Sequence, residues 1–149
     1  MAQDIAEDEF YHQVRMVAKN FIPAYSIVRS AIENRFKVHE SGKIIFLEKS
    51  CSWKEILFEI EEELGLNNEI IFVLYKINDT DFRVQTIPIS LGNFKFRKGL
   101  YEAWRGQEKE KLAEICQIED VNFVHTSGFI GGARSYNSAL KMAHISLNH

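Results

Sequence analysis

Ten residues near the end of the chain, 123–132, leave few options for the local fold. An apolar run (Phe123, Val124) meets a loop in which Gly128, Gly131 and Gly132 fall within five residues, and a helical pattern follows over about residues 135–147. Strand, glycine turn and helix in that order aim backbone N–H groups and a helix N-terminus at an anion. The same glycines also suit positive φ angles and close packing of a helix on a strand. On the first reading Ser127, Gly128, Gly131, Gly132, Arg134 and Ser135 make a phosphate- or carboxylate-binding corner. On the second they are scaffold. No nucleophile, metal cluster or general base converges on the segment, so it does not by itself specify an enzyme.

The rest of the chain reads as alternating helices and strands. Phe10, Val14, Val17, Phe21, Ala24, Val28 and Ala31 recur in steps of four and three, one stripe of a long helix over residues 4–35 that Pro23 kinks or divides. Residues 36–39 read as a strand, Glu40-Ser41-Gly42 as a hairpin turn, and residues 44–47 as the returning strand. Ser52-Trp53-Lys54-Glu55 fits a capping box with Ser52 as N-cap. Ile56, Leu57, Ile60 and Leu64 form the buried stripe of the helix that follows, and Gly65 stops it. Residues 70–76 are a strongly apolar strand, residues 78–81 a turn, and residues 82–87 the strand that pairs back. A loop over 88–106 precedes a helix at 108–116 and a strand at 122–125. The order indicates one α+β domain, a mixed or antiparallel sheet covered by helices, with an N-terminal helical segment over 1–35 and the α+β unit over 36–149.

Composition closes several other routes. A chain of 149 residues with 46% hydrophobic and 12% aromatic content is not disordered. Its two cysteines, Cys51 and Cys116, lack CxxC partners, which argues against zinc or disulfide scaffolds and fits a reducing compartment. No apolar run approaches the roughly 20 residues of a membrane span. The acidic start is unlike a transit peptide. The expectation is a soluble protein of cytoplasm or nucleus, without a membrane partner. Net charge is −3, but Arg83, Lys95, Arg97, Lys98 and Arg105 face only Glu102 in their stretch, so one face is expected to be basic.

Three further features bear on chemistry. Arg134, at the start of the last helix, opposes the helix dipole unless an anion or carboxylate is close; otherwise it is simply solvated. In Asn93-Phe94-Lys95-Phe96-Arg97-Lys98, followed by Tyr101, Trp104 and Arg105, rings alternate with cations. That suits stacking on single-stranded nucleic acid, and it also suits a strand with one apolar face. The five histidines, His12, His39, His125, His144 and His149, have no metal-ligand spacing, so no metal site is expected.

Several segments together carry a resemblance. They are Arg35-Phe36-Lys37-Val38-His39 with Ser41-Gly42, then Cys51-Ser52-Trp53-Lys54-Glu55, Phe72-Val73-Leu74-Tyr75, Ile87-Pro88, Glu102-Ala103-Trp104-Arg105-Gly106, and the run from Phe123 through Gly132. In order and spacing, from about residue 25 onward, they resemble the C-terminal half of the Myg-one exonuclease family (melanocyte-proliferating-gene proteins). The resemblance implies kinship with DHH phosphoesterases and 3′–5′ exonuclease action on RNA in nucleus and mitochondria. It also implies a divalent metal, Mn or Mg, held by an N-terminal domain. The chain departs from the family in two ways. It contains no Asp-His-His. Where the family has a Thr-Arg-Glu-Gly-like run, it has Ser135-Tyr136-Asn137-Ser138, leaving Arg134 to replace the missing arginine charge.

The resulting expectation is a substrate-binding domain of a Myg-one-like exonuclease. It would hold phosphate or RNA ends through Ser127, Gly128, Gly131, Gly132 and Ser135, with Arg134 and Arg105 as cations. No catalytic residue, metal ligand or cofactor is expected in the chain, which alone would be inactive. A separate metal-bearing catalytic chain, or a second copy, would pair through the N-terminal helix. The alternative is an interaction module without a ligand of its own.

Overall fold

A computed structural model describes residues 23–149. The stripe residues Phe10, Val14, Val17 and Phe21 lie outside them. The first described helix, α1 (residues 23–33), buries the remaining stripe, with Ala24, Val28, Ala31 and Ile32 turned inward.

The expected strand at 36–39 is instead a helical turn, α2 (Arg35–Val38). Asn34 links it to α1, its side-chain amide donating to the Ser30 carbonyl at 2.8 Å. Phe36, the first residue of the expected strand, is 59% exposed. The next strand, β1 (Ile44–Leu47), therefore has no hairpin partner. It runs parallel to β2 (Phe72–Asn78), pairing Ile44 with Phe72 and Leu47 with Tyr75. Between them lies α3 (Lys54–Leu64). Ser52 does not cap α3. Trp53 occupies the cap position without a side-chain hydrogen bond, and burial of its ring fixes the helix start. Gly65 ends α3 at φ +70°, its N–H returning to the carbonyls of Glu61 and Glu62, as its position after the apolar stripe predicts.

β3 (Asp81–Thr86) folds back on β2 through the expected turn, where Asn78 Oδ1 accepts from the Thr80 N–H at 2.9 Å. After the long loop come a 3-10 turn (Glu102–Trp104), α4 (Lys109–Cys116), β4 (Val121–Val124), β5 (Ile130–Ala133) and α5 (Tyr136–Leu147). The sheet order is β1-β2-β3-β5-β4, with β1 and β2 parallel and every other pair antiparallel, so the sheet is mixed.

Both faces of the sheet are covered, which is why β2 reads as continuously apolar rather than alternating. Val73 joins Ile45, Leu47 and the inner sides of α1 and α3 in one buried cluster. Its chain neighbours Phe72 and Leu74 point the other way, into a second cluster with Val84, Leu100, Trp104 and the α5 residues Ala139, Met142 and Ala143. No described helix is long and apolar enough to cross a membrane.

Candidate functional site

The connection from β4 to β5 is a tight turn. Ser127 donates its N–H to His125 Nδ1 at 3.1 Å, and its hydroxyl lies 2.9 Å from the same nitrogen. The Gly128 N–H closes the turn onto the His125 carbonyl at 2.9 Å, with Gly128 at φ +77°. The Gly128 carbonyl accepts from the Leu100 N–H at 2.9 Å, which docks the long loop against the turn.

Arg105, just past the 3-10 turn, lies across this junction. Its Nε donates to the Leu100 carbonyl at 3.0 Å. A Cβ on Gly128 would stand 2.4 Å from Arg105 Nε, and one on Gly99 would stand 2.5 Å from a terminal guanidinium nitrogen. Two glycines thus clear a seat for one planar cation. None of the ion pairs among the described residues uses Arg105, and its two terminal nitrogens have no hydrogen bond there. A cleft of about 200 Å³ opens beside it, walled by Lys98, Tyr101, Glu102, Ser146 and His149. An unengaged guanidinium fork of this kind matches carboxylate or phosphate geometry.

Arg134 and Ser135 lie at the opposite end of β5. Its four residues span on the order of 10 Å at about 3.3 Å each, so the expected corner does not form as one cradle. Gly131 and Gly132 are not in the turn at all. They occupy β5 between β3 and β4, neither has a positive φ, and a Cβ on Gly131 would meet Leu100, Met142 and the Phe123 carbonyl at 3.0–3.1 Å. Close packing, not an anion, is what requires glycine there.

At the start of α5, Ser135 caps the helix by accepting from the Ser138 N–H at 3.2 Å. The Ser138 hydroxyl donates to the Asp120 carboxylate. Burial pushes the Asp120 carboxyl up, but hydrogen bonds from Ser138 and Ser135 and the Arg134 charge outweigh it and hold the group below its ordinary value. Asp120 is therefore the carboxylate that the exposed Arg134 and the helix dipole call for. The anion expected at this helix terminus is supplied from within the chain.

The ring-and-cation loop is also largely absorbed into the fold. Arg97 is buried against Glu61, Lys98 donates to the Leu147 carbonyl at 2.9 Å, and Phe96 stacks on Phe129 with centroids 6.3 Å apart. Phe94, at 94% exposed, and Lys95 remain on the surface.

One contact had no signal in the sequence. His39 Nε2 lies 2.7 Å from His144 Nδ1, and Ser41 Oγ lies 2.7 Å from His39 Nδ1, joining the loop after α2 to α5 across 105 positions. Burial, then the His144 charge, push His39 below its ordinary value, while Glu40 pulls it up. A histidine depressed in the folded state binds its proton more readily unfolded. Its contribution to stability should be whole above roughly pH 6.5 and be lost as pH falls toward the lower folded value. Melting temperatures measured from pH 7.5 to 5.5 should therefore fall more steeply than in His39→Gln; equal slopes would count against the pair. Among the described residues no three of His, Cys, Asp or Glu converge to hold a metal ion.

Comparison with known proteins adds a family. The model for MYG1 exonucleases, described as an uncharacterised protein family (UPF0160), matches residues 1–147. The chain is 38% identical to the "MYG1 protein" of Dictyostelium discoideum over 99% of its own length and 45% of that protein's. It is 40% identical to the "MYG1 exonuclease" of Bos taurus, over 98% of this chain and 39% of that protein. Against the "MYG1 exonuclease" of Homo sapiens identity is 37%, with 98% and 39% covered. The chain thus spans less than half the length of these curated relatives. No solved structure matches it.

Proposed function

The chain belongs to the MYG1 exonuclease family, and we propose that this domain holds the phosphate-bearing end of an RNA for cleavage by a separate, metal-bearing part of the enzyme. The observation that carries the reading is Arg105, seated between Gly99 and Gly128 with its fork unengaged and a cleft beside it. Ser127 and Gly128 shape the turn under that seat. Arg134 and Ser135 stand beside Asp120 at the far end of β5 and have no share in it, and Gly131 and Gly132 support it only through packing.

Phosphodiester cleavage in this reading uses Mn or Mg. Two-metal chemistry needs several carboxylates and imidazoles gathered around the ions, and the described residues do not form such a set. The metal-bearing part, or a second copy, would meet this domain through the apolar stripe that begins with Phe10 and Val14.

The test is direct. Arg105→Gln should weaken binding of a short single-stranded RNA about tenfold or more, the scale of one lost charge-assisted, bidentate contact. Arg105→Lys should recover only part of it. Fluorescence anisotropy at fixed salt measures both, and a melt confirms folding. Unchanged affinity in a folded Arg105→Gln protein would move the site away from Arg105, and no RNA binding by the unaltered chain would favour the second reading, an interaction module without a ligand. That reading draws its support from Asp120, which fills the N-terminus of α5, where the sequence offered an anion site.

A further inference from the structure

We propose that the face of Tyr101 now covered by His149 is a nucleobase seat, so that a terminal nucleotide binds with its base on Tyr101 and its phosphate on Arg105. The proposal rests on the reading of Arg105 as the phosphate contact and adds the ligand's other half.

The geometry points to a flat aromatic ligand. His149 lies parallel to Tyr101, with centroids 4.2 Å apart and planes 15° apart. An imidazole in that position is about the size and shape of the five-membered half of a purine. Tyr101 is also held by two contacts of the fold. The buried Trp104 packs edge-on against it at 5.3 Å, and the Tyr101 N–H donates to Ser146 Oγ at 3.0 Å. The platform is therefore fixed by the fold, whereas its cover is an exposed side chain.

Ring and fork share one cleft. Tyr101, Arg105 and His149 all wall the same space of about 200 Å³. With His149 in place it admits a phosphate and a sugar; with the ring swung out, the base takes its position. The C-terminal end of α5 carries a partial negative charge, but Lys98 donates to the Leu147 carbonyl there and offsets it, which leaves Arg105, beside Glu102, as the cation that meets a phosphate in the cleft. Base stacking on an aromatic ring together with phosphate pairing is the usual way proteins hold single-stranded nucleic acid, and it tolerates any base.

The experiment compares two ligands that differ only in the base, adenosine 5′-monophosphate and ribose 5-phosphate, each titrated into the full chain while the His149 ring signals are followed by NMR. Adenosine monophosphate should move those signals away from the Tyr101 ring current, and ribose phosphate should leave them in place. Tyr101→Leu should weaken adenosine monophosphate about tenfold without changing ribose phosphate, and His149→Ala should tighten adenosine monophosphate alone. Equal binding of the two ligands with His149 unmoved would overturn the base seat and leave the phosphate reading of Arg105 standing. If neither ligand binds and RNA affinity does not depend on Arg105, both fail together. Because the displacement is measured on the unmodified protein, a misfolded Tyr101→Leu would not shield the proposal.

Discussion

A Glu61→Ala variant should lose about 3–5 kcal/mol of folding stability, the scale of breaking a buried ion pair from one side. Glu61 on α3 and Arg97 in the long loop have side chains only 5% and 3% exposed. The guanidinium donates to both Glu61 oxygens at 2.7 and 2.6 Å and to the Ile70 carbonyl at 2.8 Å, and it lies over the Phe58 ring at 5.0 Å. Its Nε is buried with no hydrogen-bond partner among the described residues. Arg97 is thus held by a narrow set of contacts, of which the carboxylate is the largest. Alanine would leave the Arg97 charge unpaired in a buried site, with its side chain only 3% exposed.

The same pair fastens the functional cleft. Lys98 and Gly99 follow Arg97 directly, so loosening it frees the wall against which Arg105 lies. Urea denaturation should show the loss, and the double variant Glu61→Leu, Arg97→Met should recover much of it, since apolar replacement of the whole pair removes the stranded charge. A cost below about 1 kcal/mol for Glu61→Ala would mean that Arg97 escapes to solvent and that the pair does not anchor the loop.

Gly131→Val should cost about 3 kcal/mol, near the upper end for overpacking a core, with a fall in melting temperature on the order of 10 °C. The new Cβ would land 3.0 Å from Leu100 Cδ1, 3.1 Å from Met142 Cε and 3.1 Å from the Phe123 carbonyl oxygen. The methionine can swing aside, but the carbonyl belongs to the neighbouring strand and cannot, and valine brings two further methyls. The damage should appear as stability, because Gly131 sits in a strand rather than in the turn. Gly128→Ala is the contrast. It puts a Cβ 2.4 Å from Arg105 Nε at φ +77°, so it should lower RNA affinity by displacing the guanidinium. If Gly131→Val melted normally and lost RNA affinity instead, the glycine would have to be returned to the binding site.

Much of the architecture was legible where neighbouring residues alone decide the outcome. The β2–β3 hairpin follows from two apolar runs around Asn78 and Asp79. The length of α3 follows from its stripe and from Gly65, which takes the left-handed angle that ends it. The family was legible too, because its motifs are local strings in fixed order. The strand at 36–39 failed for an equally local reason. The alternation of Phe36 and Val38 is two residues long, too short to outweigh the run-on from α1 through Asn34.

What only the tertiary structure decided were the choices that depend on distant partners. β1 pairs in parallel with β2 because α3 carries the chain across the sheet, and a parallel partner leaves no turn signature in sequence. Gly131 is a glycine because α5 and the Leu100 loop press on β5, and Gly132 because the Phe123 ring and the Arg83 side chain lie against it, which a glycine-rich string cannot reveal. Asp120, fifteen residues before Ser135, fills the helix terminus that the string offered to a ligand, and Glu61, thirty-six before Arg97, claims a cation that read as exposed. Sequence periodicity reports whether a residue is buried. Which charge it meets there is settled by packing between segments far apart in the chain, and that packing moved the candidate anion site from the start of α5 to Arg105.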